Sequence, residues 1–188
     1  MIRIAIANQK GGVGKTTTAI NIATAIAATG WRTLLIDLDP QGNASTGLGI
    51  PSRDREDSTY DLLMEEATVA QCTLKTRIPN LDIIPATQDL SGAEVELVAE
   101  GDRVERLKKA LVNADHHYDV CFIDCPPSLG LLTLNALSAA DSLMVPLQCE
   151  FFALEGLSQL LNTVGLVRQS LNPTLKVLGV VLTMYDKR

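Results

Sequence analysis

The chain has 188 residues, of which 46% are hydrophobic and 20% are charged, and its formal net charge is −6. This length is sufficient for one α/β domain with a single large core, and no second domain is required. The acidic charge balance argues against a surface that is basic all round, so any contact with nucleic acid must be confined to a local patch.

The sequence predicts neither a secretory leader nor a membrane-spanning segment. The first strand begins within residues 1–4, without a charged leader, apolar region and cleavage site, so we expect a cytoplasmic protein. Residues 129–147 are weakly charged but include Asn135, Asp141 and a proline, which favours a buried helix plus strand over a membrane span. The four cysteines lack C-x-x-C spacing, which favours small buried thiols over metal or redox roles.

A glycine-rich loop follows the apolar run at residues 2–7, which predicts the first strand. The loop sequence is Gln9-Lys10-Gly11-Gly12-Val13-Gly14-Lys15-Thr16-Thr17. Its glycines let backbone N–H groups turn inward, and the helix that follows adds the partial positive charge of its N-terminus. The pattern predicts a cradle for polyphosphate, in which Lys15 reaches the β- and γ-phosphates and the Thr16 hydroxyl coordinates Mg²⁺.

This loop departs from the general P-loop pattern at two positions. Gln9 stands where the pattern has glycine, and Lys10 adds a second lysine at a position on which the pattern makes no demand. The alternative interpretation is an ordinary glycine turn between a strand and a helix, which the matching context disfavours.

The rest of the chain alternates between strand and helix patterns. Apolar residues keep helical spacing after the loop, and Gly30 is placed to end that helix. Helical periodicity also predicts helices around residues 104–112 and 154–167. Near-continuous apolar runs predict strands at residues 33–38, 81–84, 120–123, 142–147 and 177–183. This order predicts a doubly wound, mostly parallel sheet with its ligand site at the carboxyl ends of the strands.

Carboxylates follow two of these strands at the same rim as the glycine-rich loop. Residues 37–43 include Asp37 and Asp39, which we expect to point in different directions. One would lie close to Mg²⁺ or the P-loop lysine, and the other, further along the chain, would lie toward the γ-phosphate, where it could orient water. Asp124 ends another apolar strand, which is the Walker B arrangement that holds the Mg²⁺ shell. The alternative for each acid is a solvated strand end.

A further segment and the two histidines carry no predicted chemistry. Residues 40–59 are rich in turn residues and mixed charges, and we predict a long mobile loop whose charges are solvated. His116 and His117 have no acid or nucleophile at a useful spacing, so we predict that both lie on the surface.

Four segments together resemble the ParA/Soj chromosome and plasmid partitioning ATPases, within the deviant-Walker group that also includes MinD and the nitrogenase iron protein. They occur in the family's order and span nearly the whole chain. These segments are residues 8–18, 37–43, 124–128 and 182–186. The resemblance implies a P-loop NTPase fold of the deviant-Walker type and an ATPase that uses ATP and Mg²⁺.

The resemblance also implies roles for single residues. Lys10 is similar to the signature lysine that crosses an ATP-sandwich dimer to touch the partner's nucleotide, and Asp39 is similar to the acid needed for hydrolysis. The implied catalytic set is Lys10, Lys15 and Asp39, and the implied metal set is Thr16, Asp37 and Asp124. The implied nucleotide contacts are Lys10, Gly11, Gly12, Val13, Gly14, Lys15, Thr16, Thr17, Met184 and Asp186. Met184 and Asp186 lie in a segment that resembles the family's strand end beside the adenine, and Arg188 matches a basic position linked to DNA binding.

The implied function is a slow ATPase that forms a homodimer with ATP and acts in chromosome or plasmid partitioning. Its nucleotide state would be coupled to nonspecific DNA binding and to a ParB-like centromere-binding partner, in the cytoplasm and on the nucleoid. Family members continue with a further strand and C-terminal helices, so we expect residues 1–188 to form a single P-loop domain truncated at its C-terminus.

Two alternatives stay open. A MinD-like ATPase would need a C-terminal amphipathic helix for membrane cycling. A metabolic P-loop enzyme of the same fold would need a pocket for a small-molecule acceptor.

Overall fold

The structure is a computed structural model that describes residues 1–114, 116–150 and 153–186. Its strands are β1 (Ile2–Ile6), β2 (Thr33–Asp37), β3 (Leu74–Lys75), β4 (Leu81–Ile84), β5 (Val120–Asp124), β6 (Ser142–Gln148) and β7 (Lys176–Thr183). In the described part of the chain they form one sheet in the order β3-β4-β2-β5-β1-β6-β7. Every neighbouring pair is parallel except β3 and β4. The predicted doubly wound, mostly parallel sheet is therefore confirmed, and the short β3 is an addition to it.

Helices connect these strands on both faces of the sheet. They are α1 (Lys15–Ala28), α2 (Asn43–Gly47), α3 (Thr59–Leu63), α4 (Val69–Cys72), α5 (Leu90–Glu96), α6 (Arg106–Leu111), α7 (Leu131–Ala139) and α8 (Ala153–Ser170). The helices predicted after the glycine-rich loop, around residues 104–112 and around residues 154–167 are α1, α6 and α8. The helices α2 to α5 span four to seven residues each, and such short helices offer too few turns for a periodic apolar pattern.

The two faces of the sheet have different partners. Small side chains of α1, such as Ala19 and Ala23, pack with Leu35 and Phe122 on one face. Side chains of α5 to α8 pack on the opposite face, where the larger apolar cluster lies. Every residue of β2 and β5 is buried because helices cover both faces at the centre of the sheet. This packing places the carboxyl ends of β1, β2 and β5 side by side.

The segment between β2 and α3 is folded rather than an open loop. It contains α2 and a single 3-10 turn at Ser52–Asp54. The prediction of solvated charges is wrong for Arg55, which is only 8% exposed. A guanidinium can be buried where backbone carbonyls accept its hydrogens, and composition alone does not reveal such carbonyls.

Several smaller predictions can also be compared with the structure. Gly30 has a φ of 95° and donates its N–H to the Ala27 carbonyl at 2.9 Å, which ends α1 as predicted. Three of the four free cysteines are buried as predicted, but Cys149 is exposed. His116 and His117 are exposed, as predicted. Among the described residues, no helix combines the length and the apolar character that a membrane-spanning helix needs.

Candidate functional site

The glycine-rich loop joins β1 to α1 at the carboxyl edge of the sheet. Gly12 and Gly14 have φ values of 74° and 86°, a backbone region that other residues rarely adopt. Thr18 donates its N–H to the Gly14 carbonyl at 2.9 Å, so α1 begins directly after the loop. Left-handed glycines followed by a helix N-terminus are the backbone arrangement of an anion-binding nest.

Polar contacts from two distant strands hold this loop in place. Asn8 is buried, donates from its Nδ2 atom to the Pro146 carbonyl at 2.7 Å, and accepts the Lys10 N–H on its Oδ1 atom at 3.0 Å. The Thr183 hydroxyl donates to the Val13 carbonyl at 2.8 Å. The loop is therefore tied to β6 and β7. Sequence reasoning gave Asn8 no separate role, although an amide side chain directly after an apolar run is a signal that could have found it.

The two lysines of the loop have opposite environments. Lys15 is 7% exposed, and its Nζ atom donates to the Lys10 carbonyl at 3.0 Å. Burial lowers the pKa of Lys15, while nearby carboxylates, Asp124 foremost, oppose that shift. The side chain of Lys10 is 42% exposed and forms an ion pair with Glu150, which follows β6. Lys15 thus lies inside the cradle, and Lys10 lies on its rim.

Asp124 is a fully buried carboxylate at the end of β5. Neither of its oxygens has a hydrogen-bond partner of ordinary geometry among the described residues. Burial raises the pKa of Asp124 to about 7, and the charges of Asp37 and Asp39 act in the same direction, whereas the Thr16 hydroxyl and Lys15 lower it. A buried carboxylate without such partners is costly, so the position of Asp124 beside Thr16 and Lys15 suits it to bind a cation.

Asp37 and Asp39 have different surroundings, because β2 ends at Asp37 and Asp39 lies in the turn after the strand. Asp37 accepts the Ser45 hydroxyl at 2.7 Å and the Ser45 N–H at 2.8 Å on Oδ2, and the Asp39 N–H at 3.2 Å on Oδ1. Burial raises the pKa of Asp37, and these hydrogen bonds oppose the shift. Asp39 accepts the Gln41 N–H at 3.0 Å and lies close enough to Lys15 to favour the charged form of that lysine. Asp37 is therefore engaged with α2, whereas Asp39 lies near Lys15.

These residues fit a magnesium nucleotide. Mg²⁺ in phosphate sites takes one or two carboxylates from the protein and the rest of its ligands from water and phosphate oxygens. Asp124 supplies a carboxylate with unused oxygens, and the half-buried Thr16 supplies a hydroxyl beside it. Within residues 1–114, 116–150 and 153–186, no group of three His, Cys, Asp or Glu side chains is placed to hold a metal ion by itself.

The remaining predicted contacts lie at the edges of this site. Gly11 and Thr17 are exposed on the loop and on the first turn of α1. Met184 directly follows β7, has a φ of 52° and is 62% exposed, and Asp186 is also exposed. The contacts of Met184 and Asp186 with adenine stay predictions. Arg188 lies outside the described residues.

Comparison with known proteins identifies the family. A family profile described as an AAA domain matches residues 1–177. The chain is 61% identical over 187 residues to the chromosome partitioning protein ParA of Caulobacter vibrioides, and the match covers 98% of this chain and 70% of that protein. It is 57% identical over 185 residues to the sporulation initiation inhibitor protein Soj of Bacillus subtilis, covering 98% of this chain and 73% of that protein. The chain belongs to the ParA/Soj family.

A structure solved with a bound nucleotide is similar to this ParA/Soj chain over its whole length. The cobyrinic acid a,c-diamide synthase of Mycobacterium smegmatis, solved with bound ADP and magnesium, has a TM-score of 0.96 at 44% identity. The match covers 100% of this chain and 76% of that one. Members of the ParA/Soj family are ATPases, so the chain is an ATPase whose cofactors are ATP and Mg²⁺. These predictions from the sequence are confirmed.

Proposed function

We propose that this ParA/Soj chain is an ATPase that forms a homodimer with ATP and acts in chromosome or plasmid partitioning. The observation that carries the proposal is the separation of the two loop lysines. Lys15 is buried inside the cradle, where it serves its own nucleotide, whereas Lys10 stands on the exposed rim. A cation on the rim is available to the nucleotide of a second copy, where it would stabilise the charge that develops on the phosphates.

The other site residues have complementary roles in this proposal. Bound ATP and Mg²⁺ supply the scissile phosphoanhydride and the cation that neutralises it. Lys15 and the backbone N–H groups of residues 11–17 bind the phosphates, while Thr16 and Asp124 hold Mg²⁺. Asp39 orients the attacking water from the side of the cradle that faces Lys15. Asp37 supports the metal shell from the neighbouring strand through its hydrogen-bonded carboxylate.

The partners follow from the family and from the charge of the chain. Residues 1–188 form one P-loop domain that works in the cytoplasm and on the nucleoid, together with a ParB-like protein and nonspecific DNA. Because the net charge is −6, DNA must meet a local basic surface, and Arg188 is the residue that we assign to it.

A second candidate function is metabolic. The similarity to the cobyrinic acid a,c-diamide synthase favours it, at 44% identity over 100% of this chain. In that case the chain would couple ATP hydrolysis to a reaction on a small acid. The MinD-like alternative has no comparable support.

One experiment separates these functions. ATP hydrolysis by the purified full-length protein is measured alone, with nonspecific DNA, with DNA plus the ParB-like protein from the same genome, with anionic vesicles, and with cobyrinic acid plus an amide donor. We expect stimulation only when DNA and the ParB-like protein are both present. Stimulation by the acid with formation of an amide product would assign the metabolic function, and stimulation by vesicles would assign the MinD-like one.

A further inference from the structure

Arg55 is a buried cation in a segment whose neighbouring charges are exposed. It is 8% exposed, whereas the side chain of Arg53, two positions earlier, is 86% exposed. None of the ion pairs found among the described residues includes Arg55. A guanidinium buried without a carboxylate is expensive unless other acceptors satisfy its N–H groups. The acceptors of its N–H groups therefore show which parts of the chain the buried Arg55 connects.

Those acceptors belong to three parts of the chain. The Nε and Nη2 atoms donate to the Ile50 carbonyl at 3.2 and 2.7 Å, and Nη2 also donates to the Thr46 hydroxyl at 2.8 Å. The Nη1 atom donates to the Ala86 carbonyl at 3.0 Å. One side chain thus joins α2, the turn after it and the residues that follow β4. A planar guanidinium is suited to this task because its five donors point in fixed directions.

Ala86 contacts the segment from α2 to Arg55 through both its carbonyl and its N–H group. Its carbonyl accepts from Arg55, and its N–H donates to the Ser45 hydroxyl at 3.1 Å. That hydroxyl donates in turn to the buried carboxylate of Asp37. Both backbone groups of one residue after β4 are therefore used to fix α2 beside the carboxyl end of β2.

Hydrogen bonds and a direct contact also connect Arg55 and α2 to the turn that carries Asp39. Gly42 donates its N–H to the Asp39 carbonyl at 2.8 Å, and its own carbonyl accepts the Thr46 N–H and hydroxyl, both at 3.0 Å. The Arg55 guanidinium packs directly on Gly42, where an added Cβ would stand 2.2 Å from Nη1. Gly42 also has a φ of 62°, which favours glycine. Arg55 and the turn from Asp39 to Gly42 are thus in direct contact.

We propose that Arg55 is a positioning residue for ATP hydrolysis. Its guanidinium fixes the turn from Asp39 to Gly42 so that the Asp39 carboxylate stays beside Lys15, and it does not itself touch the nucleotide. This inference rests on the proposed role of Asp39 in orienting water. A shift of the carboxylate by about 1 Å is sufficient to lower such a rate by up to about 100-fold.

The test compares Arg55→Ala with Arg53→Ala and Asp39→Ala in the full-length protein, using single-turnover hydrolysis and titration with a non-hydrolysable ATP analogue. We expect Arg55→Ala to lower the hydrolysis rate at least about tenfold while analogue affinity changes less than about threefold. Added methylguanidinium should restore part of the rate by occupying the vacated acceptors. Arg53→Ala, a change in an exposed arginine of the same segment, should leave both quantities unchanged.

Gly42→Ala provides a second variant that keeps Arg55 and is expected to show the same loss of rate with retained affinity, because the new Cβ meets the guanidinium. The proposal is overturned by normal hydrolysis in Arg55→Ala or Gly42→Ala, or by a parallel loss of rate and affinity in Arg55→Ala that methylguanidinium does not relieve. If Asp39→Ala itself hydrolyses ATP normally, the role of Asp39 fails. If Asp39→Ala is inactive and Arg55→Ala is normal, the role of Arg55 alone fails.

Discussion

Asp37 and Asp124 are register partners on the adjacent strands β2 and β5, yet their carboxylates have opposite surroundings. Asp37 accepts three hydrogen bonds from Ser45 and Asp39, whereas the buried oxygens of Asp124 accept none of ordinary geometry among the described residues. Both carboxylates are fully buried. The difference assigns Asp37 to the internal structure of the site and leaves Asp124 ready for a ligand.

Burying the charge of Asp124 costs free energy, so we predict that Asp124→Asn stabilises the protein in the absence of nucleotide and metal. Because burial raises the pKa of Asp124 to about 7 in the folded state, its stabilising contribution is present at low pH and is lost as pH rises from about 4 to about 7. Asparagine does not ionise, so its advantage in melting temperature should grow across this range. Thermal melts in chelator at several pH values check this, and an advantage that is independent of pH would contradict it.

Ser45→Ala should destabilise the protein by roughly 1–3 kcal/mol, because it leaves buried polar groups without partners. The Ser45 hydroxyl donates to Asp37 and accepts the Ala86 N–H. Urea denaturation measures the change in the free energy of unfolding. Ser52→Ala is the matched control, since Ser52 is an exposed serine in the same segment and should change stability little. Equal stability of the two variants would be evidence against this contact.

Alanine substitutions of the two lysines of the loop should have different effects. Lys15→Ala removes the buried ammonium of the cradle and should abolish nucleotide binding. Lys10→Ala removes a cation on the rim, so binding by the monomer should stay measurable while ATP-dependent dimerisation and turnover weaken. Titration calorimetry at low protein concentration and size-exclusion chromatography with ATP measure the two effects. An equal loss of nucleotide affinity in both variants would exclude a role for Lys10 across the dimer.

Asp39→Ala should preserve ATP binding and slow hydrolysis severely, leaving an ATP-bound dimer that persists. The reason is that Asp39 lies near Lys15, whereas Asp37, two positions earlier, is engaged by Ser45. Single-turnover hydrolysis is measured beside size-exclusion chromatography with ATP. A near-normal rate would remove Asp39 from the mechanism.

Arg188→Ala should weaken DNA binding by the full-length protein with ATP and reduce its salt dependence. Each neutralised phosphate contributes about 0.9 to the slope of the logarithm of the binding constant against the logarithm of salt concentration. Loss of one contact per chain should therefore reduce the slope by about 0.9 for each chain of the dimer. Filter binding across a salt series measures it. An unchanged slope would place the DNA contact elsewhere.

Local patterns in the sequence were sufficient for every strand except the short β3, for the glycine-rich loop and for the acids at the strand ends. Glycines at positions 12 and 14 adopt the left-handed backbone that the loop pattern requires, and this requirement concerns neighbours along the chain. Near-continuous apolar runs predicted buried parallel strands because burial on both faces leaves no polar alternation. The carboxyl ends of parallel strands meet at one edge, which brought Asp124 to the loop.

The sequence by itself predicted the family, most of the strands and the glycine-rich loop, because each motif and each apolar run consists of residues close together in the chain. Only the tertiary structure decided that Arg55 is buried, that Asp37 is engaged by Ser45, and that β6 and β7 hold the loop. Asn8 and Pro146 are 138 positions apart, and Val13 and Thr183 are 170 positions apart. Such partners are set by the order of strands in the sheet, and a motif or a hydrophobic period contains no information on which distant carbonyl will face a given side chain.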